Sequence, residues 1–149
     1  MRARFLIGKR RLFAAAAAAL LCLSATAAAA ESISVSPTRL SVPAGGQQSV
    51  LTVKAAGAQQ SVVQVRVMKW NENRPASELR QTRDVVVSPP ISRLSPRQEL
   101  TVRIVRTSRK AVRGRECYRV LVDRLPSGPE TRQAVALRIR HSVPLCFTG

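Results

Sequence analysis

His141 is the chain's single histidine, and Cys117 and Cys146 are two of its three cysteines. These are the side chains that could attack a substrate, relay a proton or hold a metal. A Ser–His–Asp relay needs its histidine beside a nucleophile, and no G-x-S-x-G elbow occurs. Zinc needs more ligands than these three residues supply. Residues 141 and 146 would also point to opposite faces of one strand. No glycine-rich loop is present to cradle a phosphate. His141 therefore reads as structural. The chain reads as a non-enzyme with no cofactor and no metal.

The elements that carry these residues are strands. In "RQAVALRIRHSVPLCF", Val135, Leu137, Ile139, Val143 and Leu145 share one parity, and Arg138 and Arg140 take the other. The same alternation recurs upstream. "SISVSP" and "TRLSV" flank Pro37; "QQSVLTVKA", "SVVQVRVMKW", "VVVS", "QELTVRIV" and "CYRVLVDRL" follow. No stretch after Glu31 has helical spacing over a helical length. Seven short strands separated by turns predict an all-β, immunoglobulin-like seven-stranded β-sandwich. Most prolines fall between strands, where they cost no ladder hydrogen bonds. Pro144 falls inside one, which predicts that this end lies on an edge or leaves the sheet. "NENRPASELRQTR" reads as a long polar connection.

Residues 1–30 stand apart from this pattern. Five Lys and Arg without an acid precede an alanine-rich apolar run and an A-x-A site at Ala28–Ala30, which reads as a signal peptide cleaved before Glu31. The alanine content and small residues at its end speak against a membrane anchor, and Leu21 before Cys22 speaks against a lipid anchor. A secreted chain follows, periplasmic in a Gram-negative cell, with no integral membrane segment after cleavage. Residues 31–149 make one domain with a modest core. They carry twenty Lys and Arg against eight acids, a net +12. Export and the scarcity of aromatic rings exclude nucleic acid as the partner. The arginines are scattered, as on a solvated surface; attraction to acidic partners is the other reading.

Two cysteines remain after cleavage, an even count in an oxidising compartment, which invites a disulfide. Register complicates it and leaves the disulfide open. A hairpin closed near Leu125 and Arg132 sets Cys117 opposite Arg140, and leaves Cys146 six residues beyond its partner. A bridge would then need a bulge or a turn back.

Five motifs in order resemble the N-terminal domain of periplasmic PapD-like chaperones of the chaperone–usher pathway. They are "SPTRLSVPAGGQQSVLTV", "VMKWNEN", "VVVSPPISRLSPRQELTVRIVR", "ECYRVLVDRLP" and "VALRIRHSVPLCF". The resemblance implies an adaptor that lends its last strand to pilin subunits lacking one, by donor-strand complementation. It implies pilin subunits and an outer-membrane usher as partners. Carried over residue by residue, it places the donor positions on Val135, Leu137 and Ile139. It places the two carboxylate-anchoring cations on Arg39 and Arg140. Thr131 and Gln133 are polar, so the donor segment is short. Arg124 stands where the family has Glu, and Pro96–Arg97 where it has Pro-Gly. The family continues into a second domain, expected here to be absent. The alternative is a secreted immunoglobulin-like interaction domain or a chaperone remnant.

Overall fold

The computed structural model describes residues 32–75, 78–126 and 138–149. Among these residues the alternation folds into two facing sheets and no helix. The first sheet has the order β1 (Ile33–Ser36), β3 (Gln48–Ala55), β8 (Glu99–Arg106), β6 (Val85–Ser88). The second runs β2 (Leu40–Val42), β10 (Arg140–Thr148), β9 (Arg115–Leu125), β4 (Ser61–Lys69), β5 (Arg80–Gln81), with β7 (Ile91–Leu94) also paired to β4. Alternate residues face inward and meet between the sheets. Leu51 and Val53, Val102 and Ile104 come from one side; Val63 and Val65, Tyr118, Val120 and Val122, and Val143, Leu145 and Phe147 come from the other. Each fully buried aliphatic or Phe side chain of this kind contributes roughly 1.5–3 kcal/mol.

The described residues form ten strand segments where seven were expected, for a physical reason. One expected strand changes sheets partway, and another is followed by a segment that the alternation did not single out. β1 pairs antiparallel with β3, and after Pro37 the chain resumes as β2, parallel to β10. β6 pairs with β8, and after Pro89–Pro90 the chain resumes as β7 on β4. Ser36–Pro37 and Ser88–Pro89 are cis peptides. A residue without an N–H cannot continue a ladder, so the prolines stand where one sheet is left for the other. The third extra segment is β5, inside the polar connection after Trp70. That connection is also tied locally, by Trp70 Nε1 donating to Arg74 O at 3.2 Å and by the Asn73 amide donating to Asn71 Oδ1 at 3.0 Å.

The last hairpin departs from expectation. β10 begins at Arg140, opposite Asp123, and Cys146 lies opposite Cys117. The expected closure near Leu125 and Arg132 is therefore corrected by six residues, and the two cysteines meet without a bulge. Their sulfurs are bonded at 2.12 Å. Parity could not reveal this, because a shift of six leaves every side chain on its original face. Pro144 does not end the strand: it pairs with Arg119, one residue before β2 joins the opposite side of β10.

Candidate functional site

The outer face of the second sheet gathers the side chains with chemistry. Inward positions on β9 are even-numbered, so Cys117, Arg119, Leu121 and Asp123 face outward; on β10 the outward set is Arg140, Ser142, Pro144 and Cys146. Register lines them up in rows with β4 and its continuation: Gln64–Asp123–Arg140, Arg66–Leu121–Ser142 and Met68–Arg119–Pro144. The next row holds Trp70, whose amide donates to Cys117 O, beside Cys117 and Cys146.

At one end of this face Asp123 is buried, and its carboxylate accepts from two guanidinium groups. Arg66 Nη2 donates to Oδ2 at 2.7 Å and Arg140 Nε donates to Oδ1. Burial pushes the Asp123 carboxyl up, but the hydrogen bonds and charges of Arg140 and Arg66 outweigh it and hold it below its ordinary value. The hydrogen bond to Asp123 holds the Arg140 proton more firmly in turn. At the other end the Arg119 guanidinium carbon lies over the Trp70 ring, 3.9 Å from its centroid. Arg115 pairs with Glu72 at 3.1 Å and approaches Cys146 Sγ at 3.5 Å.

Arg39 and Arg140, assigned to one anchor by resemblance, are not brought together. Leu40 is level with Leu145, so Arg39 is level with Pro144, four residues along β10 from Arg140. Four residues of strand span about 13 Å. Arg39 lines a cleft with Arg115, Arg119, Trp70, Glu72 and Pro144, whereas Arg140 lines another with Asp123, Arg66 and Ile139. Of the expected donor positions, Val135 and Leu137 lie outside the described residues. Ile139 is described, exposed, and precedes the strand. His141 Nε2 lies 3.1 Å from Ile33 O, away from both cysteines. Glu72 comes close to the two sulfurs. The disulfide leaves no thiolate there, however, and Arg115 occupies the carboxylate.

A second polar cluster carries no sequence motif. Arg106, buried at the end of β8, donates to Glu116 Oε2 at 2.9 Å and to the carbonyl oxygens of Ser108 and Lys110 at 2.6 and 2.8 Å. Tyr118 also donates to Glu116. Burial raises the Glu116 carboxyl, yet the hydrogen bonds from Tyr118 and Arg106 and the charges of Arg106 and Lys69 leave it below its ordinary value. Burial and the Glu116 carboxylate push the Tyr118 hydroxyl well above the usual range. The cluster fastens the loop after β8 to β9, a structural role.

β10 also presents an open edge. β9 pairs with all nine of its residues, and β2 covers only Leu145–Phe147 on the other side. Among the described residues, nothing pairs with that side from Arg140 to Pro144.

Residues 32–148 match a family described as pili and flagellar-assembly chaperone, PapD N-terminal domain. Among curated proteins no sequence matches the chain. The fold is similar to a chain of the CsuC–CsuE chaperone–tip adhesion subunit pre-assembly complex of Acinetobacter baumannii, with TM-score 0.67 and 22% identity over 79% of this chain and 52% of that one. It is similar to a chain of the Salmonella enterica SafA pilin–SafB chaperone complex, with TM-score 0.64 and 25% identity over 82% of this chain and 56% of that one. The E. coli chaperone DraB gives TM-score 0.61 and 24% identity over 78% and 54%. The chain spans about half the length of these solved relatives.

Proposed function

Because this chain belongs to the pili and flagellar-assembly chaperone family, a family of adaptors and not of enzymes, we propose that it is a periplasmic chaperone for pilin subunits that works by donor-strand complementation. The observation that carries the reading is the open edge of β10 from Arg140 to Pro144, entered through the exposed Ile139. Backbone groups on such an edge add a strand to another protein's sheet. Val135, Leu137 and Ile139 then fill the subunit's groove from one face. Three buried aliphatic side chains give about 5–9 kcal/mol gross. Association consumes several kcal/mol of that, so a charged anchor at Arg39, worth roughly 1.5–3 kcal/mol, also fixes register. In this reading Arg140 acts from its ion pair with Asp123, holding the base of the donor segment. Delivery runs from residues 1–30 as signal peptide to an outer-membrane usher.

Pull-down from the periplasm of the native cell tests this. Wild type should retain one small pilin-like protein. Leu137→Asp and Arg39→Ala, both folded by their melting curves, should lose it. If wild type and Leu137→Asp collect the same salt-eluted mixture, the chain is a basic surface-binding domain and not a strand donor.

A further inference from the structure

The first sheet ends on β6, and among the described residues only β8 pairs with that strand. The Thr107 amide donates to Asp84 O at 2.8 Å, and the Arg106 amide turns the other way, to Gln47 O at 2.7 Å. In an antiparallel ladder the bonding direction alternates, so Asp84, Val86 and Ser88 bond to β8. Val85 and Val87 then direct their N–H and C=O groups to the free side. Proteins blunt such an edge with a charge, a proline or a bulge. Val85–Ser88 has none of these: it is three valines and a serine in unbroken register with β8. On the outer face Val86 is exposed beside Val105.

The stretch "DVVVS", residues 84–88, is close to its own complement. Set antiparallel to a second copy about a two-fold axis at Val86, it pairs Val86 with Val86, Val85 with Val87, and Asp84 with Ser88. The Val85–Val87 pairs are the hydrogen-bonded ones in this register, so every free backbone group of both strands finds a partner. Two four-stranded sheets become one, and Val86 and Val105 of both copies form a continuous apolar row on its outer face. Charge agrees with this register. Ser88 lies opposite the exposed Arg103. Asp84 of the second copy therefore stands about 10 Å from Arg103, two interstrand spacings away and within reach of the long arginine side chain. The axis supplies that contact twice. We propose that the β6 edge is a docking surface for a second copy of this chain, joined by antiparallel β6–β6 pairing. The seam is short, below the roughly 1,200 Å² of standard interfaces, so the dimer is a weak one that forms at high concentration. β10 lies in the other sheet and takes no part in the seam.

Sedimentation equilibrium of the purified chain tests this, from about 10 µM to about 1 mM and in enough salt to screen the repulsion between two strongly basic copies. The weight-average mass should rise from monomer toward dimer across that range. Val86→Lys sets like charges directly opposite each other at the axis and should leave a monomer with an unchanged melting curve, since Val86 is exposed. Val86→Cys gives a second, position-specific readout. The two Cα atoms at the axis would be about 4.5 Å apart, within the span of a disulfide, so oxidised glutathione should cross-link this variant well above the wild-type background. Val50→Cys, equally exposed but on β3, two strands in from the edge, should not exceed that background. Leu137→Asp should dimerise as wild type does, which separates this seam from self-association through the donor segment. A chain that stays monomeric throughout, a dimer that survives Val86→Lys, equal cross-linking of Val86→Cys and Val50→Cys, or a dimer lost in Leu137→Asp would each overturn the proposal. The experiment needs no client, so its outcome is independent of the chaperone reading.

Discussion

Asp123 places one carboxylate between two guanidinium groups, and its titration is tied to folding. Its folded pKa lies below the ordinary 3.8, and that of Glu116 below the ordinary 4.5. As pH falls, the unfolded chain therefore takes up protons before the native one does. The stabilisation is complete above these ordinary values and is lost as pH drops from about 4.5 through the lower native pKa values. Thermal melting followed from about pH 6 to pH 2 should show that decline. Asp123→Asn keeps the shape and removes the charge. Sheltered charge-assisted bonds contribute roughly 1.5–3 kcal/mol each. The half-exposed Arg66 and Arg140 side chains reduce the expected loss to about 1–2 kcal/mol near neutral pH. Urea unfolding at neutral and acid pH checks this: the gap between variant and wild type should close in acid.

At the scale of elements, the turn from β7 to β8 exposes a local conflict between sequence and backbone. Ser95, Pro96, Arg97 and Gln98 form a turn closed by the Gln98 amide donating to Ser95 O at 3.1 Å. Arg97 sits at φ 61°, where an L side chain is strained and glycine is not. Pro96–Arg97 stands where the resemblance places Pro-Gly, and the chain turns there all the same. A non-glycine residue in this region costs roughly 1–3 kcal/mol, and glycine returns part of that as greater chain entropy when unfolded. Arg97→Gly should accordingly stabilise the fold by about 0.5–1 kcal/mol, measured as a higher urea midpoint with an unchanged slope.

Across the whole molecule, the Cys117–Cys146 bond closes a loop of sequence separation 29. That loop includes the hairpin connection leading to the proposed donor segment. The bond acts mostly by restricting the unfolded chain, and loops of this size are worth about 2–4 kcal/mol. The double variant Cys117→Ala/Cys146→Ala should unfold at correspondingly lower urea while keeping its native β signal in circular dichroism. The paired β9 and β10 strands share nine register positions and a buried inner face, so the sheet itself survives the loss.

How much of this was legible depends on which physical signal each feature leaves in the chain. Alternation of Val, Leu and Ile places the strands and their inward faces, and residues such as Leu51, Val102 and Val120 are buried as their parity requires. Strand type, the all-β class and the family motifs are local, so the sequence alone determined them. Prolines marked the breaks, but not that Pro37 and Pro89 stand where strands change sheets, since that depends on which partner waits on each side. The register of β10 was equally hidden. An even shift preserves every face, so only packing against β9 could set Cys146 on Cys117 and Arg140 on Asp123. The pairing of β2 with β10 likewise sets Arg39 level with Pro144 and four residues from Arg140, and Pro144 in turn lies opposite Arg119, eighty residues of chain from Arg39. Distances between outward side chains belong to the assembled sheet, and tertiary structure alone decided them.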